Sequence, residues 1–382
     1  MFYRSNPNKN GYAICAGLDQ VIDYIENLHF DDEDIEYLRK TKLFRDDFLE
    51  YLRDFKFTGD IYAIPEGSVI FPREPLVKVI APIMQAQLIE TALLNIINHQ
   101  SLIATKAARV VLAADGDGVM EFGLRRAQGP DAGIYGARAA VIGGCVGTSN
   151  VLCGRMFDVP ILGTHAHSWI MSFPDELSAF RTYAKTFPTA CTLLVDTYDT
   201  LKSGVPNAIT VFKEMRAAGI PLKNYGIRLD SGDLAYLSKR AKEMLDEAGF
   251  EDAVISASND LDENIISSLK LQGATINRWG VGTNLITSKD CPAFGGVYKL
   301  AAVMNEKTGE FIPKIKLSEN AEKITNPGNK KIYRIYNKKT GKIIADWKRR
   351  ICLQTSHLCS LIRLRHGREQ SLMQVHLRLR NS

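Results

Sequence analysis

The sequence predicts an α/β protein in which an irregular (β/α) barrel is accompanied by a second α/β domain. Short β-prone runs recur between Val119 and Val303, separated by segments of roughly 20 to 40 residues with helical periodicity, as parallel strands with crossover helices require. Polar or glycine-rich residues follow each run. Because a barrel gathers the carboxyl ends of its strands at one mouth, we expect these residues to face one cavity. An open doubly wound sheet is the alternative.

Composition limits the classes of protein that this chain can represent. The 382 residues, 45% of them hydrophobic, supply enough apolar side chains for two or three domains. No uninterrupted apolar run is long enough to cross a bilayer, and the N-terminus is too polar for a signal peptide, so we expect neither a membrane protein nor a secreted one. The seven cysteines are scattered singly, which favours reduced thiols and a cytoplasmic protein.

The net charge of +5 resides at one end of the chain. Residues 348–382 contain eight Lys or Arg and one Asp or Glu, a charge of +7, whereas the residues before them carry −2. In the main body, basic and acidic residues alternate as on an ordinary solvated surface, so we expect no nucleic-acid binding there. A non-catalytic nucleic-acid binder acting through the tail is the alternative from a different functional class.

The first part of the chain, residues 1–104, is predicted to be an N-terminal α/β domain. Its expected elements are an amphipathic helix, an acidic loop, two short strands and a long helix that leads out of the domain, at 18–25, 31–34, 60–64, 76–80 and 85–109.

The barrel is predicted to occupy residues 105–303 as the catalytic domain. Residues 304–347 return to the α/β domain, and residues 348–382 form an atypical basic tail. The six expected barrel strands are 119–122, 159–162, 192–195, 225–229, 253–256 and 279–281.

The segment Thr164-His165-Ala166-His167-Ser168 contains two of the four histidines that lie outside the tail. A zinc site would need further ligands from later strands, and no histidine occurs between His167 and His357, so a metal is disfavoured. A capped or packed core histidine explains His165. His167 is a candidate nucleophile or general base, because an imidazole is neutral and available near pH 7.

The segment from Tyr225 to Asp233 combines a strand, a cation, two carboxylates and a Ser-Gly turn. Asp230 could hold the hydroxyls of a sugar and a Mg²⁺ that accompanies phosphates, while Arg228 offers a planar fork to an anion. The alternative is a helix N-cap, formed by Ser231 or Asp233 after a buried strand.

Two further segments could contact an anion. Glycines in the stretch 280–284 could expose backbone N–H groups to a phosphate, although a tight turn needs the same glycines. Arg125 and Arg126 lie at a strand end, where Arg125 could bind a carboxylate or pyrophosphate in a bidentate way. A surface salt-bridge pair is the simpler alternative.

Taken together, these segments resemble the nicotinate phosphoribosyltransferase family in order and spacing from Met1 to about Trp347. The matching pieces are Glu121-Phe122-Gly123-Leu124-Arg125-Arg126-Ala127-Gln128-Gly129, Gly163-Thr164-His165-Ala166-His167-Ser168-Trp169, Leu194-Val195-Asp196-Thr197-Tyr198, Ile227-Arg228-Leu229-Asp230-Ser231-Gly232-Asp233, Gly280-Val281-Gly282-Thr283 and Phe294-Gly295-Gly296-Val297-Tyr298-Lys299-Leu300. The resemblance implies an irregular α/β barrel of the type II phosphoribosyltransferase kind beside an α/β domain, as a homodimer with sites at its interface.

The same resemblance implies a cytoplasmic enzyme of pyridine nucleotide and NAD biosynthesis that is both ligase and glycosyltransferase. It would join nicotinate to 5-phosphoribosyl 1-diphosphate, with ATP hydrolysis and Mg²⁺, and release nicotinate mononucleotide and diphosphate. The implied site residues are His167 as a transient phosphohistidine, Arg125, Thr164 and Arg228 at nicotinate or its neighbouring phosphates, Asp230 at the ribose, and Gly282 and Thr283 at the 5-phosphate. Metal ligands are not assigned. A nicotinamide or quinolinate phosphoribosyltransferase is the nearest alternative.

Two departures from the family pattern concern the ends of the sequence. The chain starts within the family's early motif, here Phe2-Tyr3-Arg4-Ser5-Asn6-Pro7, and lacks the preceding segment whose tyrosine stacks on the pyridine ring. After Trp347 the family-like sequence stops. We expect a truncation or a shifted reading frame rather than a new domain, so an inactive truncated family member is a further alternative.

Overall fold

The structure is a computed structural model that describes residues 1–319, 323–350, 367–371 and 375–377. The chain divides into two compact units, one made of Met1–Ser101 with the described residues from Ala293 onward, and one made of Leu102–Pro292. Each unit is treated separately below. The four-part division expected from the sequence, at 1–104, 105–303, 304–347 and 348–382, stays a prediction.

The elements are numbered along the described residues. The strands are β1 (Phe2–Tyr3), β2 (Ala13–Ile14), β3 (Asp60–Ala63), β4 (Val69–Ile70), β5 (Val77–Ile80), β6 (Gly118–Glu121), β7 (Gly147–Thr148), β8 (Cys191–Leu194), β9 (Tyr225–Leu229), β10 (Val254–Ala257), β11 (Arg278–Val281), β12 (Gly296–Val297), β13 (Ala302–Met304), β14 (Phe311–Pro313), β15 (Lys330–Asn337), β16 (Ile343–Arg350), β17 (Gly367–Ser371) and β18 (Val375–Leu377). The α-helices are α1 (Leu18–Asn27), α2 (Asp32–Thr41), α3 (Asp46–Arg53), α4 (Ile83–Leu88), α5 (Glu90–Ala114), α6 (Pro130–Ile142), α7 (Val151–Phe157), α8 (His167–Met171), α9 (Glu176–Thr186), α10 (Val205–Ala217), α11 (Leu234–Glu247), α12 (Glu263–Leu271) and α13 (Thr283–Ile286).

The Leu102–Pro292 unit is built on one parallel sheet of six strands in the order β7-β6-β11-β10-β9-β8. Its first and last strands along the chain, β6 and β11, are neighbours, so the sheet follows the cyclic strand order of a barrel. The link between β7 and β8 is missing from that cycle, and the sheet is therefore a half-barrel. The expected irregular (β/α) barrel with a second α/β region is confirmed.

One expected barrel strand is wrong. Residues 159–162 form no strand; Ile161 makes a single parallel bridge to Thr148, and the short strand β7 takes the outer position in the sheet. Pro160 has no N–H to donate to a ladder, and Ile161 is 55% exposed, so little apolar burial favours an extended strand there. The other five expected strands agree with the structure to within one or two residues.

The strands at the centre of this sheet are buried on both faces. In β9, four of the five residues are buried; α11 packs against this strand, and Phe212 of α10 contacts Tyr225 at its start. Arg228 is the exception in β9, and its side chain extends towards the carboxyl edge of the sheet.

The other unit contains short antiparallel sheets and the helices α1 to α4. Early and late parts of the chain pair within it, as β1 with β12 and β3 with both β5 and β18. The buried ion pair between Arg334 and Asp346 joins β15 to β16, and Arg334 Nη2 also donates to the Val69 carbonyl at 2.6 Å. The predicted basic tail at 348–382 lies largely outside the described residues.

The acidic loop expected at 31–34 is wrong, because these residues begin α2. The Asp31 carboxylate accepts from the backbone N–H of Asp34 at 2.9 Å, and the Asp34 carboxylate accepts from the N–H of Asp31 at 3.2 Å. This reciprocal capping box places three carboxylates in the first turn, where the helix dipole stabilises negative charge.

The long helix expected at 85–109 is present as two consecutive helices that are separated by the single residue Ile89. The first, α4, ends at Leu88, and α5 then runs from Glu90 to Ala114, so the helical stretch is longer than expected at both ends. Its first half belongs to one compact unit and its second half, from Leu102, to the other.

Candidate active site

The candidate site lies at the carboxyl edge of the half-barrel. Each strand from β8 to β10 is followed within two residues by a polar residue that hydrogen-bonds to its neighbour across the sheet, because adjacent parallel strands end at the same edge. We call the resulting group the edge cluster; its members are Thr164, His167, Asp196, Arg228, Asp230, Ser231 and Ser258.

Arg228 is the centre of the edge cluster. Its Nε donates to Ser258 Oγ at 2.8 Å, its Nη1 to Thr164 Oγ1 at 2.5 Å, and its Nη2 to Asp230 Oδ1 at 2.9 Å. Ser258 also donates to Asp230, which closes a ring of hydrogen bonds. Three acceptors thus fix the guanidinium plane, while each Nη nitrogen keeps a second N–H that can bind an anion.

Asp196 connects the histidine to the sugar-binding candidate Asp230. Its Oδ1 lies 3.0 Å from His167 Nε2, and its Oδ2 accepts from the backbone N–H of Asp230 at 2.9 Å and from Ser231 Oγ at 2.6 Å. The Asp196 side chain is 2% exposed, whereas that of His167 is 39% exposed. The buried carboxylate therefore orients an imidazole whose other nitrogen, Nδ1, takes part in none of these contacts.

His165 has a different environment from His167. Its Nε2 accepts from the backbone N–H of Leu194 at 3.2 Å, and its ring packs edge-on against Tyr183 with centroids 4.6 Å apart. Burial lowers the pKa of His165 to about 4, and the charge of Arg228 acts in the same direction. His165 is thus a neutral core histidine at ordinary pH, which agrees with the packing alternative.

Arg125 lies in the 3₁₀ turn Leu124–Arg126 that follows β6, and its side chain is exposed. Neither Arg125 nor Arg126 forms an ion pair with any residue of the described ranges, so the surface salt-bridge alternative has no support there. The turn begins after Gly123, whose carbonyl accepts from the N–H of Arg126 at 2.8 Å.

Gly282 and Thr283 lie where β11 ends and α13 begins. A Cβ on Gly282 would come within 3.2 Å of the Phe122 carbonyl oxygen, so the backbone is close to the neighbouring strand end. No hydrogen bond within the described part of the chain joins Arg125, Gly282 or Thr283 to the edge cluster. They share its edge of the sheet, since β6 and β11 are adjacent.

Of the predicted site residues, the structure brings together His167, Thr164, Arg228 and Asp230. Asp196 and Ser258 were given no role by the sequence analysis. Ser258 directly follows β10 and Asp196 lies two residues after β8, and this position at a strand end was the signal that could have found them. The helix-cap alternative holds for Asp233, whose Oδ1 accepts from the N–H of Tyr236 at 3.0 Å, while Ser231 donates to Asp196 instead.

The edge cluster does not form a metal cage. Among the residues that the structure describes, no group of three or more His, Cys, Asp or Glu side chains could hold a metal ion. Mg²⁺ commonly binds one or two carboxylates together with substrate phosphates, and Asp230 Oδ2 takes part in none of the cluster's contacts. The donor set therefore fits a Mg²⁺ ion that arrives on a phosphate rather than one held by protein groups alone.

Barrel enzymes place their catalytic residues at the carboxyl edge of the parallel strands. The half-barrel of this protein carries an oriented histidine, a fixed arginine and carboxylates at that edge, so the fold and the site together indicate an enzyme of the barrel class. The model of the nicotinate phosphoribosyltransferase N-terminal domain matches residues 1–98, and that of the nicotinate phosphoribosyltransferase family matches residues 118–331. The chain belongs to the nicotinate phosphoribosyltransferase family, as the resemblance of its motifs implied.

Individual relatives agree with this assignment. The nicotinate phosphoribosyltransferase of Bacillus subtilis is 54% identical over 337 residues, which span 88% of this chain and 68% of the relative. A human enzyme of the same name is 33% identical over 392 residues, spanning 88% of this chain and 71% of the relative.

Solved structures agree with the fold. The crystal structure of human nicotinic acid phosphoribosyltransferase superimposes with a TM-score of 0.77 at 30% identity, covering 91% of this chain and 76% of that chain. A nicotinate-nucleotide pyrophosphorylase from Pyrococcus furiosus, with a TM-score of 0.70 at 22% identity, covers 98% of this chain and 81% of that chain and shares the fold. The described residues contain no helix that is long and apolar enough to span a membrane.

Proposed function

We propose that this protein joins nicotinate to 5-phosphoribosyl 1-diphosphate, coupled to ATP hydrolysis, and releases nicotinate mononucleotide and diphosphate in NAD salvage. The observation that carries the proposal is the edge cluster, in which Asp196 links His167 to the Arg228–Asp230 pair inside the family-matching region 118–331. The names of the Bacillus subtilis and human relatives, both nicotinate phosphoribosyltransferases, support the same reaction.

Arg228 and Arg125 are the proposed anion-binding groups. The remaining N–H groups of Arg228 bind a carboxylate or phosphate oxygen without first having to order the side chain, because Ser258, Thr164 and Asp230 already fix its plane. Arg125 is exposed at the same edge of the sheet. An arginine-rich ring pocket favours the carboxylate of nicotinate over the uncharged amide of nicotinamide.

The proposed glycosyl transfer forms a bond from the pyridine nitrogen to the anomeric carbon while the bond from that carbon to diphosphate breaks. Positive charge develops on the ribose, where the Asp230 carboxylate stabilises it, and negative charge develops on the departing diphosphate. Gly282 and Thr283 hold the 5-phosphate in this proposal. Asp230 Oδ2 could help to hold a Mg²⁺ ion there, and such an ion would supply positive charge to the leaving diphosphate.

His167 is the proposed phosphate acceptor. When the neutral imidazole donates from Nε2 to Asp196, the lone pair lies on Nδ1, which is the nitrogen that attacks the γ-phosphorus of ATP as ADP leaves. Water then removes the phosphoryl group and restores the imidazole. The added charge at the start of α8 orders nearby groups and tightens binding of the sugar diphosphate.

The proposal includes a cytoplasmic homodimer that binds neither nucleic acid nor membranes. The four buried cysteines of the described ranges, Cys15, Cys145, Cys153 and Cys191, are free thiols, which supports a reducing compartment.

The test is mass spectrometry of the protein after incubation with ATP. We expect an acid-labile phosphate on the peptide that contains His167, and we expect His167→Asn to abolish ATP-driven turnover while some uncoupled synthesis persists. His29→Asn is the control, because His29 is exposed in the other unit and should leave both phosphate uptake and coupling unchanged. Unchanged coupling in His167→Asn would refute the role of His167.

Competition among ring substrates tests the choice of base. Nicotinate should outcompete nicotinamide and quinolinate for turnover with 5-phosphoribosyl 1-diphosphate. A preference for either competitor would replace the proposed substrate, and purified protein without any turnover would favour the inactive family member.

A further inference from the structure

Glu121 is a buried carboxylate that the proposed reaction does not use. It is the last residue of β6, it is 0% exposed, and among the described residues no cation pairs with it. Burial raises the pKa of Glu121, while hydrogen bonds from Thr148 and Gly123 oppose that shift. A buried carboxylate without a cation costs folding free energy, so its environment calls for an explanation.

Both oxygens of the Glu121 carboxylate accept hydrogen bonds. Oε1 accepts from the backbone N–H of Gly123, and Oε2 accepts from Thr148 Oγ1 at 2.6 Å. Thr148 Oγ1 in turn accepts from the N–H of Asn150 at 3.0 Å, and Asn150 caps α7. The carboxylate therefore joins the turn after β6 to the neighbouring strand β7.

Gly123 fits closely into this arrangement. A Cβ on Gly123 would lie 2.4 Å from Ile286 Cβ and 2.7 Å from Glu121 Oε1. The turn is thus held between the carboxylate and α13, the helix whose first residue is Thr283. Arg125 follows two residues later, in the 3₁₀ turn that Gly123 begins.

We propose that Glu121 is a positioning residue: its carboxylate holds the Gly123 N–H and the Thr148 hydroxyl, and thereby fixes the turn that presents Arg125 at the carboxyl edge. This inference rests on the proposed function, in which Arg125 contacts a substrate anion. Glu121 itself touches no substrate.

The first test compares steady-state kinetics of Glu121→Gln, Arg125→Lys and the double variant. Glutamine keeps the shape of the side chain but removes the carboxylate, so the hydrogen bonds from the Gly123 N–H and the Thr148 hydroxyl to an acidic side chain are replaced by weaker amide hydrogen bonds. We expect Glu121→Gln to raise the KM of one substrate about tenfold, equivalent to about 1.4 kcal/mol, with little change in kcat. Arg125→Lys should raise the KM of the same substrate, and the double variant should show less than the sum of the two effects.

Glu176→Gln is the matched control. Glu176 is also buried, at 4% exposed, its Oε2 accepts from Asn207 Nδ2 at 2.8 Å, and it belongs to α9 rather than to the turn after β6. Its kinetics should equal those of the wild type. The positioning role is overturned if Glu121→Gln behaves like this control, or if its effects and those of Arg125→Lys are strictly additive.

Amide hydrogen exchange tests the inference without turnover. We expect the amides of Gly123 and Arg126 to exchange about tenfold faster in Glu121→Gln than in the wild type, since one anchor of the turn is lost. Thr148→Val removes the hydrogen bond to the other oxygen of the carboxylate, and we expect it also to speed up exchange in this segment. It replaces Glu121→Gln in this test if Glu121→Gln does not fold. Unchanged exchange in this segment rejects the inference, whereas absent wild-type turnover with faster exchange rejects only the proposed function.

Discussion

Two charged clusters in the Leu102–Pro292 unit differ in how completely they cancel their own charges. The second, which we call the α5 cluster, consists of Lys106, Arg109, Glu263 and Asp290. Each of its two cations contacts both carboxylates, with Lys106 Nζ at 2.8 Å from each, and the Lys106 side chain is 2% exposed. Arg228 and Asp230 of the edge cluster are 18% and 28% exposed.

This difference distinguishes a cluster that stabilises the fold from one that can bind a ligand. In the α5 cluster every charge has a partner inside the protein, so little capacity remains for a ligand, and the cluster's main effect is on stability. In the edge cluster the groups are fixed by each other yet keep N–H groups and a carboxylate oxygen at an accessible edge. Charge alone therefore does not identify a site; retained access and hydrogen-bonding capacity do.

The largest expected effect is on stability, from Lys106→Met. This change leaves Glu263 and Asp290 with Arg109 as their remaining cation, and we expect a loss of about 3–5 kcal/mol in unfolding free energy, measured by urea denaturation. The kcat/KM of the folded fraction should not change. Lys270→Met is the control, because Lys270 is 30% exposed beside Asp117 and should cost about 1 kcal/mol or less.

A loss of turnover at an unchanged urea midpoint in Lys106→Met would break the comparison, since it would move the α5 cluster into the functional machinery.

The next effect is on activity, from Arg228→Lys. A lysine ammonium cannot contact Ser258, Thr164 and Asp230 in the plane that the guanidinium occupies, so we expect kcat/KM to fall about 100-fold, or about 2.7 kcal/mol. Unfolding free energy should change by less than about 1 kcal/mol. Arg181→Lys is the matched control, because Arg181 is 50% exposed and pairs with Glu214 on the surface.

If Arg228→Lys destabilises the protein as strongly as Lys106→Met and retains turnover, the edge cluster also serves to stabilise the fold, and its proposed role in binding is wrong.

The smallest expected effect is on the pH dependence of stability and concerns His165. This residue is next to Thr164 in the sequence, but its ring packs in the core. Because the pKa of folded His165 is about 4, below the value of about 6.5 for an unfolded histidine, the unfolded chain binds the proton first as pH falls. The stability from His165 is thus present above about pH 6.5 and lost between there and about pH 4. From pH 7 to pH 5, the wild type should lose about 2 kcal/mol more than His165→Gln.

Urea unfolding at several pH values measures this difference, with His29→Gln as the exposed control. Parallel pH dependences of the wild type and His165→Gln would show that His165 is not held neutral by its surroundings. Glutamine suits the comparison because its side-chain oxygen can accept from the Leu194 N–H in place of Nε2.

Much of the fold follows from the sequence, and the errors have local causes. The strand Tyr225–Leu229 is found as expected, because a buried parallel strand has a continuous apolar run. The segment 159–162 has a similar apolar pattern, but Pro160 and an exposed Ile161 prevent a ladder. At 31–34, acidic composition suggested a loop, whereas Asp31 and Asp34 form the capping box of α2.

The site was predictable only in part for a different reason. His167, Arg228 and Asp230 belong to local segments whose composition already suggests chemistry. The contacts made by Asp196 and Ser258 depend on β8, β9 and β10 being neighbours in the sheet, and each contact joins two residues that are roughly 30 positions apart along the chain. Spacing along the sequence does not specify which strand ends become adjacent, so those contacts required the structure.

Asp196 touches the imidazole with one oxygen and the loop of Asp230 with the other. If His167 is the phosphate acceptor, the ATP-driven half of the reaction and the sugar-binding half share a single carboxylate as their junction. Phosphorylation of His167 would then act on the loop of Asp230 through the two hydrogen-bonding contacts of this one side chain. In such an enzyme, the coupling between ATP hydrolysis and glycosyl transfer would act across the length of one aspartate side chain.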